Sequence, residues 1–97
     1  MKFNRENEMN VIFNSALFSD ALQHQIKTDL ARRRIIEASD IVQLEFFLKK
    51  EENDHFKVSV RYNHGGKSHF YDHVDHDVYH ASKVVIDKIK RQLEDSK

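Results

Sequence analysis

The sequence predicts an α+β fold, a two-layer sandwich in which a four-stranded sheet carries both helices on one face. Two observations lead to this prediction. Residues 41–50 and 56–63 alternate apolar and polar side chains with the period of two that half-buried strands show. Residues 78–93 repeat apolar side chains at helical spacing. The resulting order is β-α-β-β-β-α, and helices stacked on one face of a mostly antiparallel sheet form such a sandwich.

The first third of the chain predicts a short strand followed by a helix. Residues 9–14 form the strand, with Val11 and Phe13 on one face. Ser19 is the predicted N-cap of a helix that runs to about Arg34, because its hydroxyl can accept a hydrogen bond from the first turn. The predicted buried stripe of this helix consists of Leu22, Ile26 and Leu30.

The middle of the chain predicts three strands in succession. The first covers residues 41–50 and the second begins at Phe56. A turn at residues 63–66 contains the chain's 2 glycines and leads into the last strand, Lys67 to about His73, in which Phe70 is the predicted inward residue. The first strand should point Val42, Leu44, Phe46 and Leu48 inward. The opposite, solvated face of the sheet should carry Gln43, Glu45, Phe47, Lys57, Ser59 and Arg61.

The length of 97 residues predicts a single domain over 1–97, with residues 1–8 as a flexible lead-in. The chain has no cysteine, which excludes disulfides and thiolate metal sites. It shows no signal-like start and no apolar run long enough to span a bilayer. We therefore expect a cytoplasmic protein without a membrane partner.

The charges balance overall, with 16 basic and 16 acidic residues, but they are unevenly distributed. The last helix carries four cations against Asp87, for a net charge of +3, and residues 27–34 of the first helix carry four against Asp29, for the same +3. A packed helix that presents cations to solvent is a candidate surface for an anionic polymer. The alternative is that these cations are ordinary solvated side chains, and that those at helix C-termini complement the helix dipole.

Two motifs near the end of the chain resemble a known family. They are Asp77-Val78-Tyr79 and the run of residues 86–93, IDKIKRQL. Both are similar to motifs of the ribosome hibernation promoting factors and ribosome-associated translation inhibitors, also called sigma-54 modulation proteins. The resemblance covers about residues 9–93 and implies a fold like that of a double-stranded-RNA-binding domain. Further support comes from Asp20-Ala21-Leu22, Leu30-Ala31-Arg32 and Gly65-Gly66.

The resemblance implies a non-enzymatic protein that binds the small ribosomal subunit and its rRNA. Such a protein would block the channel of messenger and transfer RNA and so inhibit translation under stress. Longer relatives carry a second, dimerising domain that these 97 residues do not include, so we do not expect ribosomes to be paired through that domain. We expect a monomer and no cofactor. By resemblance, the RNA-binding residues are Arg32, Lys88 and Arg91. Local charge adds Arg33, Arg34, Lys83 and Lys90.

A histidine-rich stretch contains a second group of candidate site residues. His73, His76 and His80 are candidate ligands for zinc or nickel. Because their spacing crosses a strand end, a loop and a helix start, convergence is not assured, and we predict no metal site. A zinc hydrolase built on these histidines is the enzyme alternative. The sequence has no nucleophile elbow and no phosphate loop, so we predict no enzyme. A protein-binding module that uses the open sheet face or a sheet edge is the remaining alternative.

Overall fold

The computed structural model describes residues 9–37 and 40–95. The predicted lead-in at residues 1–8 lies outside the described residues. The predicted order β-α-β-β-β-α is confirmed. The elements are β1 (Asn10–Phe13), α1 (Asp20–Arg32), β2 (Gln43–Lys50), β3 (Phe56–His64), β4 (Lys67–Asp75) and α2 (Val78–Asp95).

The four strands form one mixed sheet in the order β1-β2-β3-β4. β1 and β2 are parallel neighbours, with Val11 opposite Leu44, and α1 forms the crossover between them. The other pairs are antiparallel, and a turn at Gly65 and Gly66 joins β3 to β4. Both glycines have positive φ, 63° and 78°, a backbone conformation that favours glycine in such a turn.

One hydrophobic core joins both helices to a single face of the sheet. Ile26 of α1, Phe46 of β2, Val60 of β3 and Ile89 of α2 are all fully buried within it. The stripe predicted for α1 is confirmed, since Leu22, Ile26 and Leu30 are all buried. On α2 the buried side consists of Ala81, Ser82, Val85, Ile86 and Ile89.

The N-termini of both helices carry side-chain caps. Ser19 accepts a hydrogen bond from the backbone N–H of Leu22 at 3.1 Å, as predicted for the start of α1. At the start of α2, Asp77 Oδ1 accepts the backbone N–H groups of Tyr79 at 3.0 Å and of His80 at 3.3 Å. Each cap satisfies backbone donors that have no partner within the helix.

Two predicted orientations were wrong. Phe70 points to the open face of the sheet and is 56% exposed, because it lies opposite Arg61 in the register of β3 and β4. Side chains alternate along a strand, so this register turns His69 and Tyr71 toward α2. Val42 precedes β2 and is exposed. Leu44, Phe46 and Leu48 are buried as predicted.

Within residues 9–37 and 40–95, no helix is both long enough and apolar enough to cross a membrane.

Candidate nucleic-acid interface

The C-terminal turn of α1 meets the second half of α2 through one shared carboxylate. Arg33 is the C-cap of α1, and its Nη1 lies 3.0 Å from Asp87 Oδ1. Arg91, one turn along α2, places its Nε 3.1 Å from Asp87 Oδ2. Asp87 therefore holds one arginine from each helix at the same place on the surface.

Lys90 of α2 forms a second link between the two helices. Its Nζ donates to the backbone carbonyl of Arg33 at 2.9 Å. This carbonyl lies at the C-terminus of α1, where the last carbonyls lack helical partners and the dipole favours a cation. The bond holds the Lys90 ammonium against the backbone of Arg33. The structure thus brings together three of the predicted RNA-binding residues, Arg33, Lys90 and Arg91.

Arg32 and Arg34 lie next to this junction and also have acidic partners. Arg32 forms an ion pair with Asp29, whose side chain is buried. Arg34 Nε lies 3.3 Å from Glu37 Oε1. The side chains of Arg32 and Arg34 are 63% and 72% exposed, so both guanidinium groups reach solvent while they are paired.

Lys88 and Lys83 lie apart from the helix junction. Lys88 leans toward β4, where its half-buried Nζ donates to the backbone carbonyl of Asp72 at 2.9 Å. It lines an open groove with Arg91, and the groove's other lining residues are Tyr71, Gln92 and Asp95. Lys83 is exposed on α2 and, in the described part of the chain, has no carboxylate within ion-pair distance. Of the seven predicted cations, three therefore meet at the helix junction, Arg32 and Arg34 lie next to it in sequence, and Lys83 and Lys88 lie apart from it.

The exposed ion pairs on this surface, Arg34–Glu37 and Arg91–Asp87, leave their arginines available to a polyanion. Exposed ion pairs contribute only about 0–1 kcal/mol, because solvent screens them and ordering the side chains costs entropy. A phosphate group can therefore replace the carboxylate partner of an exposed arginine such as Arg91 at small cost. Arginine is suited to this exchange because its planar fork can form paired hydrogen bonds with phosphate oxygens.

Sequence reasoning missed the role of the acids at this surface. From the sequence, Asp87 was considered only as a negative charge that lowers the net positive charge of the last helix. In the structure, it is the residue that joins Arg33 to Arg91. The spacing of Asp87 and Arg91, four residues apart on one helix, could have indicated their ion pair. The contact with Arg33 spans 54 positions of sequence and depends on helix packing, so no local pattern could indicate it.

The histidine stretch forms a separate cluster between the end of β4 and the first turn of α2. The Nε2 atoms of His73 and His80 lie 3.6 and 3.8 Å from Asp75 Oδ2. His76, the third predicted candidate, is not part of this cluster and packs its ring 4.9 Å from that of His55. Asp75 accepts the backbone N–H of Asp77, and this hydrogen bond in particular lowers the pKa of the Asp75 carboxyl, with nearby histidines adding to the effect.

Residues 9–97 match the protein family described as Sigma 54 modulation protein / S30EA ribosomal protein. The chain belongs to this family. The match covers nearly the whole chain, including the IDKIKRQL run that carries the Arg91 side of the helix junction. The family membership expected from the sequence is therefore confirmed. Among curated proteins, none matches the chain significantly.

Solved structures show the same fold in other proteins. The N-terminal domain of Protein Y from Thermus thermophilus superposes with a TM-score of 0.72 at 16% identity, covering 94% of this chain and 99% of that one. A ribosomal subunit interface protein from Coxiella burnetii gives a TM-score of 0.73 at 15% identity, covering 91% of this chain and 94% of that one. At these identities the likeness establishes the fold of this Sigma 54 modulation family member.

The open sheet face of this family member combines one ion pair with exposed apolar side chains. Arg61 pairs with Glu45 at 2.7 Å, and its guanidinium carbon lies 5.5 Å from the centre of the Phe47 ring. Phe70 and Val74 on β4 are 56% and 44% exposed. This face therefore differs chemically from the helix junction.

Proposed function

We propose that this protein binds the small ribosomal subunit through its rRNA and sterically inhibits translation, as a ribosome hibernation factor acting under stress. The observation that carries the proposal is the helix junction, where Arg33 and Lys90 from different helices meet Arg91. The chain's membership in the Sigma 54 modulation / S30EA ribosomal protein family supports the same partner. A solved relative with this fold is described as a ribosomal subunit interface protein, which supports it further.

The geometry of the helix surface suits structured RNA. Double-helical RNA exposes closely spaced phosphates and a shallow minor groove, and proteins recognise it mainly by shape. Recognition by shape needs cations fixed relative to one another on a rigid support. The bonds from Arg33 to Asp87 and from Lys90 to the Arg33 carbonyl fix cations of two helices across one contact. The seven residues proposed to bind RNA are Arg32, Arg33, Arg34, Lys83, Lys88, Lys90 and Arg91.

The proposed mechanism is occlusion, without catalysis and without a cofactor. One compact domain held by phosphate contacts in the decoding channel would exclude messenger and transfer RNA from the same space. A monomer in the cytoplasm is sufficient for this action, because each ribosome needs only one blocking domain.

The test of this mechanism is a competition experiment on purified small subunits. Labelled messenger RNA and initiator transfer RNA are bound first, and the protein is then titrated in. We expect release of both labels at the protein concentrations that saturate binding, and loss of this effect in Lys88→Glu/Arg91→Glu. Stable binding of the protein together with both labels would contradict occlusion.

A second candidate function is a protein-binding module that uses the open sheet face. The exposed side chains of Phe70 and Val74 favour it, because apolar groups on an otherwise polar face can mark a partner surface. Replacing Phe70 with Ser separates the two functions. If ribosome binding is the function and the helix surface performs it, Phe70→Ser should leave ribosome affinity unchanged.

A further inference from the structure

Three potential metal ligands converge between the end of β4 and the first turn of α2. They are His73, Asp75 and His80, and their candidate ligand atoms all lie within 4.8 Å of one another. The carboxylate Oδ2 of Asp75 is 3.6 Å from the His73 Nε2 and 3.8 Å from the His80 Nε2. Ligand atoms about 2.0–2.1 Å from a tetrahedral zinc ion lie roughly 3.4 Å apart. The two distances from the Asp75 carboxylate to the imidazoles are thus within a few tenths of an ångström of those in a coordinated site.

The strand register explains why these side chains meet. His73 and Asp75 are two residues apart on β4, so both point to the sheet face that α2 covers. His80 lies in the first turn of α2, directly above this end of the strand. The sequence prediction of no metal site rested on doubtful convergence. In the structure, two of the three candidate histidines, His73 and His80, do lie close together. The third potential ligand beside them is Asp75, not His76.

The carboxylate is already oriented by its second oxygen. Asp75 Oδ1 accepts the backbone N–H of Asp77 at 3.0 Å, which leaves Oδ2 directed at the two imidazoles. Hydrogen bonds of this kind hold the ligands of metal sites in place and are a common feature of them. In addition, the His80 side chain is 59% exposed, so an ion can enter from solvent and water can complete its coordination.

We propose that His73, Asp75 and His80 form a binding site for a divalent transition-metal ion, with zinc as the reference ion. Two imidazole nitrogens and one carboxylate oxygen are a donor set that suits zinc, nickel and copper, whereas magnesium and calcium prefer oxygen ligands alone. Three protein ligands leave at least one coordination position for water. A bound ion would link the last residues of the sheet to the start of α2.

The experiment measures zinc binding to the full chain by competition with a chromophoric chelator at about pH 8, where imidazole is neutral and able to coordinate. We expect one zinc ion per chain. Removing a residue that orients a metal ligand typically weakens metal binding by about tenfold or more. Removing a ligand itself should weaken binding at least as much, so we expect His80→Ala to reduce zinc affinity by about tenfold or more. Magnesium at the same concentration should not compete.

The matched control is His76→Ala, because His76 lies in the same stretch, is exposed and contacts His55 instead of the cluster. It should bind zinc as tightly as the native chain. A second readout is thermal unfolding, in which zinc should raise the midpoint of the native chain and of His76→Ala but not that of His80→Ala. Equal zinc affinity in the native chain and His80→Ala, or an equal loss in both variants, would overturn the proposal.

Discussion

At the scale of single residues, Tyr62 shows how one buried polar group is accommodated under α2. Its ring is buried, and its hydroxyl donates to Gln92 Oε1 at 2.7 Å. Burial raises the pKa of the Tyr62 hydroxyl above its ordinary value, and the nearby Tyr71 adds to the shift. The folded protein therefore resists ionisation of Tyr62 more strongly than the unfolded chain does.

This difference predicts a contribution to the alkaline loss of stability. The contribution of neutral Tyr62 is fully present below the unfolded-chain pKa of about 10, and it is lost as the pH rises toward the higher folded-state pKa. Tyr62→Phe cannot ionise, so its stability should fall less steeply above about pH 10. The measurement is urea unfolding of both proteins across this range. Ionisation of lysine is common to both and cancels in the difference, so parallel curves would contradict the prediction.

At the scale of elements, the end of α1 combines a structural role with a functional one. Arg34 adopts a positive φ of 62°, which turns the chain out of the helix. Its N–H donates to the Ala31 carbonyl at 3.0 Å, and the N–H of Ile35 donates to the Leu30 carbonyl at 2.9 Å. These two bonds form a Schellman motif, in which glycine is the usual residue at the Arg34 position. Arginine at this position adopts a strained backbone conformation, and it places a cation beside the helix junction.

Arg34→Gly should therefore change stability and binding in opposite directions. Glycine adopts positive φ without the steric cost that other residues incur, so we expect a gain of about 1 kcal/mol in the free energy of unfolding. Loss of the exposed ion pair with Glu37 should offset little of this. Removal of one cation should weaken binding to small ribosomal subunits. Urea unfolding and a binding titration test the two effects, and tighter binding by the more stable variant would count against a role for Arg34.

The elements themselves could be predicted from local patterns, but their contacts could not. The helical spacing of Val85 and Ile89 identifies the buried side of α2, and alternation identifies Leu44 and Phe46 in β2, because periodicity reports directly on burial. Phe70 was wrongly predicted to point inward. β4 is an edge strand, and the side chains on its inward face, below α2, are mostly polar, so an apolar residue on this strand does not identify the buried face.

The candidate sites depend on contacts between elements that are distant in sequence. The seven cations are visible as charge clusters, whereas the bridge from Arg33 through Asp87 follows from how α1 packs on α2. The histidine cluster shows the same limit. The density of histidines indicated a region, but the strand register decided that Asp75 and not His76 lies beside His80. Register and packing are tertiary properties that no short pattern encodes.

At the scale of the whole molecule, the arrangement of charge matters more than its total. The chain has no net charge at neutral pH, yet its helix surface concentrates cations from two elements. Phosphate contacts release counterions from nucleic acid, so affinity through this surface should fall steeply with salt. The open sheet face also has two cations, Lys49 and Lys57, directly opposite each other on β2 and β3. They provide a matched pair of positions away from the helices.

The most direct test of the central claim is co-sedimentation with purified small ribosomal subunits over a series of salt concentrations. The native chain is compared with Lys88→Glu/Arg91→Glu and with Lys49→Glu/Lys57→Glu, which carries the same change of charge on the open face. Circular dichroism verifies that each variant is folded, because Lys88 also bonds to Asp72.

We predict saturable binding by the native chain, with an affinity that falls steeply as salt increases. The helix variant should lose binding, whereas the open-face variant should retain it. Where residual binding of the helix variant can be measured, its salt dependence should be shallower by about one phosphate contact for each cation removed. Binding by the helix variant at native affinity, or an equal loss in the open-face variant, would contradict the assignment of the ribosome-binding surface to the two helices.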